Sequence, residues 1–153
     1  MKALSLVRPW SQLVLHAGKD IENRTWSTKH RGPLLVHGSK GYAGTGESVR
    51  AVMADPSYGA TLAGALRDGL AIGQGAPTGY LGVVQVHGVC DVSLYETEVV
   101  CACGPWAMPG QCHWQLADPR PFAEPVPAGG QLGLWEPKGP AREAVHTALR
   151  GIA

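Results

Sequence analysis

The sequence predicts an α+β fold in which a small β-barrel carries helices on its outside. Its 153 residues include 21 Gly and 12 Pro, and these fall between short segments with strand-like patterns. Many short strands separated by Gly-containing turns favour a small barrel, and the helical patterns between them make the class α+β. No break in composition marks a second domain, so residues 1–153 are predicted to form one domain.

The N-terminal part of the chain alternates between strand and helix patterns. Residues 2–8, KALSLVR, alternate as a first strand. Pro9 favours the start of a short helix, which Ser11 can help to cap, and Gly18 favours its end. Two further strands are predicted over residues 20–26 and 33–37.

The remainder is predicted to contain a helical insert, three strand segments and a final helix. Helices are expected over 46–54 and 60–68, within an insert that spans 41–78. Residues 79–92 form a long β segment that Gly88 interrupts. The last strands are GQCHWQLADPRPF and GQLGLWEP, and PAREAVHTALRG closes the chain as an amphipathic helix.

Composition excludes disordered and membrane-spanning classes. A hydrophobic content of 44% with a mean hydropathy near zero is typical of a globular protein. No apolar run reaches the roughly 20 residues that a membrane helix needs. Arg8 and Pro9 interrupt the N-terminal apolar run, which argues against a signal peptide. We therefore expect a cytoplasmic protein without membrane contact and with reduced cysteines.

Charge is distributed unevenly along the chain. Residues 1–50 contain eight Lys+Arg against three Asp+Glu, a net of +5, and the remainder has five against nine, a net of −4. A basic N-terminal third is suited to a polyanionic partner that binds at one end of the molecule. The alternative is that these charges are scattered over a solvated surface.

The strand predicted over residues 20–26 carries a concentrated set of charges. Strand alternation puts Glu22, Arg24 and Trp26 on one face, and Lys19 lies where the preceding helix ends. Arg can bind a phosphate or a base edge, Lys can act as a charge or a base, and Trp can stack on a base. The alternative is a structural ion pair, with Trp26 in the core.

The segment LSLVRPWSQLVLHAGKDIENRTW, followed by RGPLLVHGSK, resembles the ASCH (activating signal cointegrator homology) domain family, a member of the PUA-like superfamily of RNA-associated β-barrels. The family signature is Gly-x-Lys-x-x-Glu-x-Arg. Gly18, Lys19, Glu22 and Arg24 match a shorter form, without a residue between Gly and Lys. The resemblance is strong over residues 3–40 and extends to CHWQLADPRPFAEPVPAGGQLGLWEP.

The resemblance implies a PUA-like β-barrel with a cleft beside the first helix. Lys19, Glu22 and Arg24 would lie in this cleft as the binding or catalytic residues. Family members are linked to RNA or DNA binding and, in some cases, to hydrolysis. The expected partner is therefore RNA or single-stranded nucleic acid, or a nucleotide-like small molecule, with no cofactor. The oligomeric state is left open.

Alternative functions are implied at the same cleft. One family branch resembles an amidohydrolase of acetylated cytidine, whose Thr nucleophile stands where this chain has Glu22, so a different mechanism would be needed. Another branch resembles a metal-independent ribonuclease. In such an enzyme a carboxylate takes the 2′-hydroxyl proton while Lys19 and Arg24 stabilise the phosphorane. A third alternative is a protein-interaction module in transcriptional or translational regulation.

Further residues are predicted to contact the ligand around the cleft. Backbone N–H groups at Ser11 and Gln12 would face an anion from the helix N-terminus. Trp106 lies in a loop rich in Pro and Gly, where it could stack on a base or close the cleft, or equally plug the end of the barrel. The full set of ligand-binding candidates is Arg8, Trp10, Ser11, Trp26, Ser39, Lys40 and Trp106.

Two other motifs are weighed and set aside. GYAGTGES, residues 41–48, nearly matches a phosphate-binding loop, but Glu47 stands where Lys is required. The pattern C-x-C-x8-C-H, formed by Cys101, Cys103, Cys112 and His113, offers soft ligands for zinc. One residue separates the two Cys of its C-x-C pair, whereas the usual zinc knuckle has the spacing C-x2-4-C. The sequence therefore predicts no metal and ordinary thiols.

Overall fold

A computed structural model describes residues 1–43, 64, 67–68, 75–91 and 101–152. In chain order the elements are β1 (Lys2–Arg8), α1 (Trp10–His16), β2 (Ile21–Arg24), β3 (Gly32–Tyr42), β4 (Gly79–Asp91), β5 (Cys112–Val126), β6 (Leu134–Trp135) and α2 (Gly139–Arg150). The six strands form one mixed sheet in the order β2-β5-β4-β3-β1-β6.

The sheet is open within the described part of the chain. β1 pairs in parallel with β3, and the other neighbouring strands pair antiparallel. β2 and β6 form the two edges and do not pair with each other. They are short, with four and two residues, and β6 meets β1 only at the pairs Ala3↔Trp135 and Leu4↔Leu134. The α+β class is therefore confirmed, whereas the predicted closure into a barrel is not.

α1 and α2 pack on opposite faces of the sheet. Successive strand residues point to opposite faces, so Leu4 joins one apolar cluster and Ala3 joins the other. α1 covers the first face with Val14 and Leu15. α2 covers the second face with Val145, which is 1% exposed. Burial of one such Val or Leu side chain stabilises the fold by about 1.5–3 kcal/mol.

Several predicted segments agree with the structure, and their differences have local causes. The segment predicted over 79–92 is a single strand that ends at Asp91, because the ladder shifts register near Gly88 instead of stopping. Ser11 does not cap α1: the N-cap is Pro9, without a side-chain bond. β2 ends at Arg24, before the predicted end at residue 26.

The predicted helical insert falls largely outside the described residues. The helix expected over 46–54 lies entirely outside them, and in the range 60–68 only Gly64, Arg67 and Asp68 are described, all in helical conformation. Glu47 also lies outside. Within the described ranges, no helix has the length and apolar character required to cross a membrane.

Candidate functional site

A pocket of about 190 Å³ lies between α1, β2 and the loop that precedes β5. Its lining residues are Trp10, Lys19, Glu22, Asn23, Trp106, Met108 and Gln111. Pockets for drug-sized ligands occupy about 300–1,000 Å³, so this one is suited to a smaller group such as a single base. The two central residues of the sequence motif, Lys19 and Glu22, are thus in the wall of a cavity.

Lys19 is fixed by the turn that follows α1. Gly18 adopts a φ of 69°, a left-handed conformation that Gly reaches without steric cost. The Lys19 backbone N–H then donates to the Leu13 carbonyl at 3.1 Å, which ties the residue to the end of the helix. As a result the Lys19 side chain is 4% exposed and extends along the pocket wall.

The Lys19 ammonium has three neighbours of different kinds. Its Nζ donates to Glu22 Oε2 at 3.0 Å and to the Ile21 carbonyl. It also lies 5.7 Å from the centre of the Trp10 ring, within cation–π range. A buried ammonium requires this compensation, because an unpaired charge out of water is strongly unfavourable.

Glu22 lies between two cations. Its Oε1 is 3.1 Å from Arg24 Nε, an ion-pair distance without hydrogen-bond geometry, while Oε2 contacts Lys19. Arg24 Nη2 donates to the Ser5 carbonyl at 2.7 Å, so the guanidinium is anchored to β1. The three side chains meet as the strand alternation predicts. With two cations and one carboxylate, the group carries one positive charge in excess.

Asn23 joins β2 to the loop that forms the opposite wall of the pocket. Its Nδ2 donates to the Trp106 carbonyl at 2.9 Å, and its Oδ1 accepts the Met108 N–H at 2.9 Å. One amide side chain thus satisfies a donor and an acceptor of the loop. Trp106, which is 7% exposed, packs with Leu13 and Ile21 while it lines the pocket.

Three lining residues were not predicted from the sequence, namely Asn23, Met108 and Gln111. Strand alternation placed Asn23 on the face opposite Glu22, yet both residues line the pocket, where Asn23 is hydrogen-bonded to the loop. The available signals were an Asn amide in a strand and, elsewhere in the chain, a loop rich in Pro and Gly. The sequence does not reveal which loop the amide meets. Gln111, to which the described residues offer no hydrogen-bond partner, is the one lining amide without such an anchor.

The other predicted ligand contacts divide into two groups. Trp10 and Trp106 line the pocket. The lining does not include the remaining candidates among the described residues, which are Arg8, Ser11, Arg24, Trp26, Ser39 and Lys40. Their roles in ligand binding therefore stay predictions.

The structure gives several of these residues other contacts. Arg8 donates to the Ala76 carbonyl at 3.2 Å and to the Lys40 carbonyl at 2.7 Å. Ser11 is fully buried. Trp26 packs edge-on against Trp114, with ring centres 4.8 Å apart. These contacts hold neighbouring backbone segments and the core together.

At the start of α1, one of the two N–H groups predicted to face an anion, that of Gln12, has a partner within the helix. The N–H groups of Gln12 and Leu13 both donate to the Pro9 carbonyl at 2.9 Å. The Gln12 group, which was expected to face an anion, is thus engaged within the first turn. The charged pair Lys19–Glu22, in contrast, lies in the pocket wall itself.

A second cluster of functional groups lies behind the same loop. Ligand atoms of Cys90, Cys101, Cys103 and His113 all lie within 4.8 Å of one another. Burial, reinforced by hydrogen bonding with Cys103, raises the pKa of Cys90 to about 12. Burial also raises the pKa of Cys103. The thiols of Cys90 and Cys103 are therefore held in the neutral form at pH 7.

This cluster differs from the Cys/His set in the sequence pattern. Cys112 lies outside it, and its Sγ donates to Asp91 Oδ1 at 3.3 Å. Adjacent strand residues point to opposite faces, so Cys112 points away when His113 points in. Cys90 takes the vacant place because β4 and β5 pair Cys90 directly with His113.

Comparison with known proteins gives one finding on the family. The ASCH domain family model matches residues 4–126, which include all the pocket-lining residues and the whole Cys/His cluster. β6 and α2 lie beyond the matched range. No curated protein matches the chain.

Proposed function

Because the chain belongs to the ASCH domain family, we propose that it binds RNA, or a nucleotide-like ligand, by taking one base into the pocket. The observation that carries this proposal is a buried Lys19–Glu22 pair that lines one cavity together with two indoles, Trp10 and Trp106. Each of these groups is suited to one feature of a nucleotide.

The aromatic and polar groups have complementary tasks. A Trp ring face stacks on any base, and removal of such a ring costs about 1–3 kcal/mol of binding free energy. The Glu22 carboxylate can accept an amino N–H from a base edge, as carboxylates do from cytosine N4. Lys19 and the Gln111 amide can donate to base carbonyl oxygens or to phosphate. The excess positive charge of the motif favours such electron-rich groups.

The size of the pocket favours an unpaired nucleotide. A cavity of about 190 Å³ cannot admit a base pair. Sequence-specific RNA recognition mostly targets single strands and loops, whose bases are free to enter a protein pocket. The modest basic excess of residues 1–50 adds few phosphate contacts. We therefore expect binding to single-stranded RNA with a shallow dependence on salt concentration.

Binding can be tested by fluorescence anisotropy with labelled single-stranded RNA oligonucleotides, with nucleosides as competitors. Trp106→Ala should weaken binding about 5- to 150-fold, the equivalent of about 1–3 kcal/mol. Lys19→Met should also weaken it, whereas Lys138→Met removes the same charge at an exposed position outside the pocket and should bind as the wild type does. Thermal unfolding confirms that each variant is folded.

Two results would count against this function. Equal affinity of Trp106→Ala, Lys19→Met and wild type would place the RNA elsewhere on the molecule. Absence of binding to every oligonucleotide and nucleoside would favour the protein-interaction alternative.

The adjacent ammonium and carboxylate in the wall also favour a hydrolase as a second candidate. Glu22 would accept a proton from a 2′-hydroxyl or a water molecule, and Lys19 would stabilise the developing negative charge. Labelled RNA and acetylated cytidine, incubated with wild type, Glu22→Gln and Lys138→Met, distinguish the two functions. Products formed by wild type and Lys138→Met but not by Glu22→Gln identify an enzyme, whereas intact substrate that is tightly bound identifies a binding protein.

A further inference from the structure

We propose that Cys90, Cys101, Cys103 and His113 bind one zinc ion that fixes the loop lining the pocket. This inference is independent of the ligand proposed above, because it rests on the Cys/His cluster alone. It also revises the sequence-based prediction of no metal, since the structure supplies Cys90 where the sequence pattern offered Cys112.

The spacing of the ligand atoms fits a tetrahedral ion. Zn–S bonds of about 2.3 Å in a tetrahedron separate sulfur atoms by about 3.8 Å. All four ligand atoms lie within 4.8 Å of one another, so closing the widest pair around an ion takes a shift of about 1 Å. Cys101 Sγ and His113 Nδ1 are already 3.0 Å apart.

The imidazole is held in the orientation that a metal ligand needs. His113 Nε2 lies 2.7 Å from the Met108 carbonyl, which can only accept a hydrogen bond, so Nε2 carries the proton. Nδ1 is then left with its lone pair directed at the thiols. A backbone carbonyl that orients a His ring in this way is typical of metal sites.

A polar neighbour is also present on the sulfur side. Gln115 Nε2 donates to Cys103 Sγ at 3.7 Å. N–H donors to sulfur are suited to a thiolate, which carries the negative charge that a neutral thiol lacks. The surroundings of the cluster therefore match its metal-bound state on both the nitrogen and the sulfur side.

The donor set selects zinc and a structural role. Three sulfurs and one imidazole in a tetrahedron favour zinc over the hard cations, which prefer oxygen ligands. As the ion binds, each of the three thiols releases its proton to solvent, while His113 stays neutral. Four protein ligands leave no open position for water, which is typical of structural zinc sites and not of catalytic ones.

The position of the cluster gives the ion its consequence. Cys101 and Cys103 lie in the same loop as Trp106 and Met108, whereas Cys90 and His113 lie on paired strands of the sheet. An ion between them attaches the loop to β4 and β5. Asn23 attaches the same loop to β2. The wall of the pocket is then held from two sides.

The test measures metal content on tag-free protein purified with reduced thiols. Inductively coupled plasma mass spectrometry should find one zinc per chain in the wild type. Cys112→Ser is the matched control, because it removes a neighbouring thiol outside the cluster, and it should retain one zinc. Cys90→Ser and Cys103→Ser should lose at least tenfold in zinc affinity.

Some results would contradict the proposed set of four ligands. Loss of zinc in Cys112→Ser, together with retention in Cys90→Ser, would contradict it. A metal-free wild type that takes up no zinc when the ion is added would overturn the site as a whole.

Cobalt provides a measurement that does not depend on variants that fold. Titration of the metal-free wild type with Co²⁺ should produce thiolate-to-cobalt charge-transfer absorption and the intense visible bands of a tetrahedral site, saturating at one equivalent. Addition of Zn²⁺ should remove both signals. Octahedral, weakly absorbing cobalt would refute the geometry. So would an intramolecular disulfide among the three cluster cysteines in protein purified without oxygen.

Discussion

Replacement of Glu22 by Ala isolates the energetics of the buried charged group. Among the described residues, the change leaves Lys19, which is 4% exposed, with the Ile21 carbonyl and the Trp10 ring as its remaining partners. Removal of one partner from a buried ion pair destabilises a protein by about 3–5 kcal/mol. For a domain of this size each kcal/mol lowers Tm by about 2–4 °C, so Glu22→Ala should lower Tm by about 6–20 °C.

Replacement of Lys19, the other member of the pair, should destabilise the protein less. Lys19→Met leaves Glu22 with Arg24 Nε at 3.1 Å, and methionine replaces the apolar part of the lysine. The expected loss of folding free energy is then about 1–3 kcal/mol, which is the cost when a buried polar group loses one hydrogen bond. The double variant leaves no buried ammonium without a carboxylate, and Arg24 keeps its hydrogen bond to the Ser5 carbonyl, so this variant should be more stable than Glu22→Ala alone.

Urea unfolding followed by tryptophan fluorescence measures all three variants. Glu143→Ala, on the exposed side of α2, serves as the control and should stay within about 0.5 kcal/mol of wild type. If Glu22→Ala lowers the free energy of unfolding by less than about 1 kcal/mol, the pair does not behave as a buried one, because solvent-exposed ion pairs contribute no more than this. A larger cost for Lys19→Met than for Glu22→Ala would refute the asymmetry.

Three other changes test separate contacts. Asn23→Ala should accelerate hydrogen exchange at the Met108 amide, as measured by exchange mass spectrometry, and should lower the free energy of unfolding in urea by about 1–3 kcal/mol. Unchanged exchange would contradict the role of Asn23 in holding the loop. At a free zinc concentration of 1,000 times Kd, zinc binding stabilises the folded state by about 4.1 kcal/mol, so a chelator should lower Tm by about 8–16 °C. Cys112→Ser should respond equally. An unchanged Tm would contradict the stabilising role of zinc. Hydrogen bonding to Lys2 lowers the pKa of Glu136, so this pair adds stability at neutral pH that is lost as pH falls through the lowered pKa. Lys2→Met should raise the pKa of Glu136 toward its ordinary value in an NMR titration, and an unmoved value would contradict the assigned cause.

Local sequence spacing predicted that the three charged side chains of the motif lie together. Lys19, Glu22 and Arg24 lie within six positions, so the end of a helix and the alternation of one strand suffice to bring them together. Trp106 was predicted from its loop composition alone. The α+β class followed in the same way from segment patterns that each depend on a few neighbouring residues.

Contacts between distant segments could not be predicted in this way. Cys90 meets His113 only because β4 and β5 pair in one particular register, and a shift of one residue would turn His113 away. Asn23 meets Met108 across 85 positions. The open edges of the sheet likewise depend on how far β2 and β6 extend, which a strand pattern does not specify.

The match to the family ends at residue 126, but the fold relies on residues beyond that boundary. Trp135 and Val145 cover Ala3, Leu35 and Tyr80 on the second face of the sheet. A chain shortened to the matched range would expose these side chains to water, and it would self-associate or require a foreign surface in their place. The range that the family model matches is therefore shorter than the part of the chain that builds the described sheet and its apolar core.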